Sequence, residues 1–190
     1  MRAFIGIALP PALQESVAEL QRELAVDGAD VKWVAPHQLH ATLKFLGEID
    51  EQGRARAETA LRLAAAKQGA FTMRLELVGA FPSTDSPQVV WVGVGEGKEA
   101  LMKLAQVLDR ELEAAGWPAE MRPFAPHLTI GRVRSAYGLR GLAQRLRALD
   151  WSPPQASWPA SSVTFYQSVL SAEGPRYTVL ADVPLGSIAG

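Results

Sequence analysis

Two four-residue stretches, His40-Ala41-Thr42-Leu43 and His127-Leu128-Thr129-Ile130, repeat one pattern and start 87 residues apart in a chain of 190. Between them they use two of its three histidines. On a β-strand successive side chains face opposite ways. The His and Thr of each copy therefore share one face, while Ala41/Leu43 and Leu128/Ile130 share the other. Each copy predicts a strand with one polar pair and one core pair, and a fold holding both brings the polar pairs together across a cleft. Two imidazoles supply an acid and a base near neutral pH, and two threonine hydroxyls hold an oxyanion between them. A lone histidine on a half-apolar strand most often serves only a structural hydrogen bond; the recurrence and its flanking residues weigh against that here.

The remaining sequence predicts a mixed α+β chain. Strands are expected at Arg2 to Leu9, Val31 to Val34, Leu39 to Leu46, Thr72 to Phe81, Val89 to Val94, His127 to Val133, Ser162 to Leu170 and Tyr177 to Pro184. Helices are expected at Pro11 to Ala25, with Leu13, Val17, Leu20 and Leu24 at helical spacing, and at about Asp50 to Lys67, Lys98 to Ala115 and Leu139 to Leu149. The proline-rich stretch Pro153 to Pro159 reads as irregular. Each half of the chain offers strands and helices in similar proportion with one His-x-Thr-x strand apiece. No linker or low-complexity tract separates the halves, which predicts one compact bilobal unit over residues 1–190.

Composition excludes several classes. With 48% hydrophobic residues there is ample material for a core, and a soluble globular chain is expected. No cysteine is present, so thiolate nucleophiles, disulfides and cysteine-ligated zinc are ruled out; a cytoplasmic location is expected. The apolar N-terminal stretch is closed by Pro10 after about eight residues, short of a signal peptide or membrane span, and reads as a buried strand. A net charge of −1, from 19 basic and 20 acidic residues, is unlike proteins that grip long polyanions through many phosphates. Any nucleic acid is therefore met at one end or over a few nucleotides. No glycine-rich phosphate loop ending in Lys-Ser/Thr occurs, and Gly93, Gly95 and Gly97 read as a turn.

The segments Trp33-Val34-Ala35-Pro36-His37-Gln38-Leu39-His40-Ala41-Thr42-Leu43-Lys44-Phe45-Leu46-Gly47 and Arg122-Pro123-Phe124-Ala125-Pro126-His127-Leu128-Thr129-Ile130-Gly131-Arg132-Val133 resemble the signature of the two-histidine (2H) phosphoesterases. Within them the chain is most similar to the RNA 2′,3′-cyclic phosphodiesterases, also called 2′-5′ RNA ligases. The likeness extends to Met1-Arg2-Ala3-Phe4-Ile5-Gly6-Ile7, Phe165-Tyr166-Gln167-Ser168 and Gly174-Pro175-Arg176-Tyr177. The resemblance implies a bilobal, pseudo-twofold α+β fold of two similar, mainly antiparallel sheets with outer helices around a central cleft. It implies a metal-independent hydrolysis of the 2′,3′-cyclic phosphate at RNA 3′ ends to a 2′-phosphate, with 2′-5′ joining as the reverse-type reaction and no cofactor. By resemblance His40 protonates the leaving oxygen and His127 is the base toward water. Thr42 and Thr129 bind the phosphate oxygens.

Two cations are further candidates for the phosphate. Lys44 shares the alternation of His40 and Thr42, so a regular strand aims it at the cleft. Arg132 matches a basic position of the family motif but shares the alternation of Leu128 and Ile130; either a bulge at Gly131 swings it round or it reaches from the strand end. Arg122, Arg134 and the Arg54/Arg56/Arg62 helix face read as solvated. His37 reads as a surface residue and Trp33 as a buried anchor; Phe45 and Phe124 flank the motifs and are candidates for stacking on a base, with core packing an equal alternative for Phe45 by its alternation with Ala41 and Leu43. The expected partner is an RNA 3′ end or short oligonucleotide, met by a monomer with no membrane association. Two other readings stay open: the same site acting on a small cyclic nucleotide or a 2′-5′ linked oligonucleotide, and an RNA-terminus binding module without turnover.

Overall fold

The computed structural model describes residues 1–25, 28–153, 156–171 and 174–186. In chain order its elements are β1 (Arg2–Ala8), α1 (Pro11–Leu24), β2 (Val31–Trp33), a 3₁₀ turn (Pro36–Gln38), β3 (His40–Glu48), α2 (Glu51–Ala66), β4 (Phe71–Pro82), β5 (Pro87–Val94), α3 (Lys98–Ala114), β6 (His127–Val133), α4 (Leu139–Ala148), β7 (Ser157–Ala160), β8 (Ser162–Ser171) and β9 (Gly174–Pro184). The helices follow the expected apolar spacing. Leu13, Val17, Leu20 and Leu24 are buried along α1, and Leu101, Leu104, Leu108 and Leu112 along α3. Asp50 caps α2, its carboxylate accepting the Gly53 N–H at 2.7 Å. Small residues Ala57, Ala60 and Ala64 line the buried side of α2, which packs on α3. Among the described residues no helix is long and apolar enough to cross a membrane.

All strands join in one antiparallel path, β7-β4-β5-β6-β3-β1-β8-β9, with β2 paired to β6 beside this path. Counted outward from the centre, β3-β1-β8-β9 is matched by β6-β5-β4-β7, a pseudo-twofold arrangement whose axis passes between β3 and β6. Those two strands meet through one residue pair, Ala41 opposite Leu128, so the sheet is barely stitched at its centre and opens there. Helices α2 and α3 cover the β3 side, α2 on β8 and β9 and α3 on β3, while α1 packs on β6 and α4 on β5.

The sheet halves do not coincide with the halves of the chain, which corrects that reading of the sequence. One takes β1 and β3 from the beginning and β8 and β9 from the end; the other takes the strands between them and β2. A second correction concerns Pro153 to Pro159, part of which forms β7, with Pro159 opposite Thr72; residues 154 and 155 lie outside those described. β7 is an edge strand, where a missing N–H leaves no ladder bond unmade on the outer side.

Two bulges decide which side chains reach the cleft. Between β1 and β3, Gly6 pairs with Thr42 and Ile5 with Lys44, leaving Leu43 unmatched. Between β5 and β6, Trp91 pairs with Thr129 and Val90 with Gly131, leaving Ile130 unmatched. Each bulge directly follows a motif threonine and shifts the alternation by one residue. A buried polar group pins each from the helix side. Gln21 of α1 donates to the carbonyls of Ile130 (2.9 Å) and Val34 (2.8 Å), and Lys44 donates to Asp109 of α3 (2.6 Å).

Candidate active site

In the antiparallel register set by Ala41 and Leu128, His40 lies opposite Thr129 and Thr42 opposite His127. All four side chains stand on the face away from the buried Ala41 and Leu128, and all are half-buried. Each histidine thus neighbours the other strand's threonine, and the two imidazoles occupy a diagonal. Diagonal neighbours of this kind stand about 7–8 Å apart, their Cβ atoms slightly closer, which leaves room for a tetrahedral phosphate between the two rings. Among the described residues neither threonine hydroxyl is engaged by another protein group, so both are free to donate to a bound oxyanion.

The backbone just before each strand sets the tautomer of its histidine. His40 Nδ1 lies 2.6 Å from the Gln38 carbonyl and His127 Nδ1 2.6 Å from the Ala125 carbonyl, the same two-residue reach in both copies. A carbonyl only accepts, so Nδ1 carries the hydrogen and Nε2 is the nitrogen left for chemistry. Aromatic rings fix the orientation. His40 stacks on Phe4 at 4.6 Å and meets Tyr177 edge-on at 5.4 Å and 87°. His127 meets Phe81 edge-on at 5.1 Å and 87°. Glycine is required beside His40: a Cβ on Gly6 would lie 2.7 Å from the Ala41 carbonyl oxygen and 3.3 Å from the His40 ring; further along β6, one on Gly131 would lie 2.7 Å from the Trp33 ring.

Burial disfavours the charged imidazoles. The pKa of His40 is lowered from its ordinary value by desolvation, against the raising effect of its bond to Gln38. That of His127 is lowered first by desolvation, opposed by the bond to Ala125, with the positive charge of Arg132 pressing in the same direction as burial. Burial raises the phenols of Tyr166 and Tyr177. Beneath the His40 side, Thr164 donates to Asp182 at 2.7 Å.

The remaining sequence candidates divide. The bulge at Ile130, one residue before the glycine suspected of it, carries Arg132 to the cleft face, where its charge acts on both His127 and Tyr177. The bulge at Leu43 does the reverse to Lys44, which is a correction: its side chain is 7% exposed, on the helix face, with Nζ 2.6 Å from Asp109, 2.9 Å from the Pro118 carbonyl and 3.7 Å from Glu120. Phe45, placed in the core by strict alternation, is 64% exposed and stands on the cleft face, its ring 6.1 Å from Phe4. In the pseudo-twofold scheme Phe45 and Arg132 are equivalent positions. His37 lies exposed in the 3₁₀ turn, and among the described residues no three His, Asp or Glu side chains are grouped to hold a metal ion. Phe124 and Trp33 are half-buried against the core.

The motifs themselves carry no sign of the ring partners Phe4, Tyr166, Tyr177, Phe81 and Trp91, although Phe4, Tyr166 and Tyr177 lie in segments that carry the family likeness. Their signal was strand alternation across partners that are remote in sequence. Gln21 had no signal at all, since a glutamine on an amphipathic helix normally faces water.

A family model described as 2′-5′ RNA ligase superfamily matches residues 9–170. A protein of Archaeoglobus fulgidus named RNA 2′,3′-cyclic phosphodiesterase is 41% identical over 178 residues, covering 93% of this chain and 96% of that one. One of the same name from Aeropyrum pernix is 36% identical over 171 residues, covering 90% and 96%. The crystal structure of E. coli LigT complexed with 3′-AMP superposes with a TM-score of 0.75 at 29% identity, covering 98% of each chain.

Proposed function

This chain belongs to the 2′-5′ RNA ligase superfamily, and from that membership we propose that its cleft opens the 2′,3′-cyclic phosphate at RNA 3′ ends to a 2′-phosphate without a metal. The observation that carries the reading is the square of His40, Thr129, His127 and Thr42, with both Nδ1 atoms tied to backbone carbonyls and both Nε2 atoms free. Thr42 and Thr129 donate to the non-bridging oxygens. His127 Nε2 takes a proton from water as its oxygen bonds to phosphorus. The P–O3′ bond breaks in line, and His40 gives its proton to O3′. Water is consumed, and one proton passes from His40 to the product while another is taken up by His127. The charge of Arg132 near His127 favours the neutral imidazole there, which suits the base, and adds attraction for the phosphate. With an RNA 5′-hydroxyl in place of water as the nucleophile, the same groups in the same roles serve 2′-5′ joining: His127 takes the hydroxyl proton as its oxygen bonds to phosphorus, and His40 protonates the departing O3′. The proposal takes residues 1–190 as one unit acting as a cytoplasmic monomer, compatible with a cysteine-free chain.

The test is incubation of the purified protein, in chelator, with a short RNA ending in a 2′,3′-cyclic phosphate, with the product identified by mass and phosphate position. A 2′-phosphate is expected; a 3′-phosphate would overturn the assignment of the leaving oxygen, and no product would overturn the reaction.

Two predictions accompany this reading. One imidazole must be charged and the other neutral, and burial holds both free-enzyme values below 6.5. The dependence of kcat/KM on pH is therefore bell-shaped, with its maximum on the acid side of 6.5. Activity declines toward pH 8 as the acid loses its proton; a profile without two limbs would contradict the acid/base mechanism, and a maximum above pH 7 would contradict the lowering of the two imidazoles by burial. Thr42→Val and Thr129→Val each remove one hydroxyl donor to a charged group and should lower kcat/KM roughly 10- to 100-fold, while keeping the bell shape.

A further inference from the structure

We propose that Lys32 and Arg132 together bind the backbone phosphate that precedes the terminal nucleotide, so that the cleft favours RNA ends over isolated cyclic nucleotides. This rests on the reading of the cleft given above and adds a second anion site to it. Lys32 of β2 is directly opposite Arg132 of β6 in the ladder, so the two side chains stand together on one face. That face is the cleft, because the bulge at Ile130 puts Arg132 on the side of Thr129, where its charge also acts on His127 and on Tyr177 of β9. Both cations are exposed.

Like charges directly opposite each other destabilise a sheet, yet among the described residues no ion pair offsets this one. Asp30, on the same face of the neighbouring loop, is taken by Arg134 at 3.1 Å. Among the described residues no carboxylate forms an ion pair with Lys32 or Arg132. The ammonium of Lys32 lies 3.6 Å from where a side chain on Gly174 would begin, so β2 and the start of β9 close around this end of the cleft.

Placement fits a phosphate one nucleotide away. With Ile130 bulged out, Arg132 is the next cleft-facing position after Thr129, about 7 Å along the strand, and its long side chain and that of Lys32 span the remaining distance. The equivalent position on β3 is Phe45, which is aromatic and uncharged. Arg2 of β1 also acts electrostatically on Tyr177, but among the described residues the opposed pair of cations at Lys32 and Arg132 has no counterpart at Phe45. A strand entering it has one favoured direction, with the upstream phosphate at Lys32 and Arg132.

The experiment measures binding and is independent of turnover. Adenosine 3′,5′-bisphosphate, whose 5′-phosphate stands in for the upstream group, and adenosine 3′-monophosphate are titrated into the wild-type protein and into Lys32→Gln by calorimetry. The wild type is expected to bind the bisphosphate about tenfold more tightly. Lys32→Gln should keep its affinity for the monophosphate and lose most of that preference. Its salt dependence for the bisphosphate should be shallower by about 0.7 in log–log slope. Equal affinity of the wild type for the two ligands would overturn the subsite, as would equal weakening of both by Lys32→Gln. If the expected binding pattern holds while cyclic-phosphate RNA is not hydrolysed, the subsite stands and the proposed reaction falls.

Discussion

His40→Ala and His127→Ala are each expected to lower kcat/KM for an RNA ending in a 2′,3′-cyclic phosphate by about 10²–10⁴-fold. The fold should survive in both. Each ring bonds to a carbonyl only two residues earlier, in the segment that leads into its strand, and both carbonyls lie near the cleft, where water can replace the imidazole. The His40 change also removes the stack on Phe4, so it should cost more stability than the His127 change. Because the acid and base act in one step, the double variant should be scarcely worse than the poorer single one. The residual rates distinguish the roles. Without His40 the alkaline limb of the pH profile should vanish, since that limb reports loss of the acid's proton. Without His127 the acidic limb should vanish. Retention of most activity by either variant would overturn the mechanism, and exchanged limbs would reverse the two assignments.

Lys44→Met is expected to do the opposite: to cost about 2–3 kcal/mol of stability, toward the low end for breaking a buried pair because Asp109 keeps some solvent contact, and to leave kcat/KM nearly unchanged. Lys44 is 7% exposed and Asp109 23%. Desolvation tends to raise the Asp109 pKa, but the Lys44 hydrogen bond, the Glu120 N–H and the Lys44 charge outweigh it and hold the carboxyl below its ordinary value. A carboxylate with a depressed folded-state value contributes stability that is present above its unfolded value and lost as pH falls through the folded one. Part of the difference between wild type and Lys44→Met should therefore disappear in acid. For a chain of this size the loss amounts to a fall in melting temperature of about 4–10 °C at neutral pH. A large loss of activity with unchanged melting would return Lys44 to the cleft and contradict the bulge at Leu43.

The contrast between Lys44 and Arg132 shows how far the sequence could be read. Strict alternation from His40 put Lys44 in the cleft and Phe45 in the core; the same rule from His127 put Arg132 in the core. A single inserted residue in each strand reverses all three, and nothing in Leu43 or Ile130 distinguishes a bulged residue from a paired one. A bulge is a relation between two strands, here β3 with β1 and β6 with β5, that are far apart in the chain. Likewise, no local signal indicates that β8 and β9 return from the end of the chain to join β1 and β3, because sheet order depends on which apolar faces pack together.

What the sequence determined by itself was local and periodic. The two His-x-Thr-x strands, the apolar stripe of α1 and the polar face shared by His40 with Thr42 and by His127 with Thr129 all follow from side-chain geometry within a few residues. Only the tertiary structure decided which cation enters the cleft, which aromatic rings clamp the imidazoles, and that Lys32 stands beside Arg132. Those outcomes depend on register between distant strands, and register is set by packing of the whole sheet against its helices.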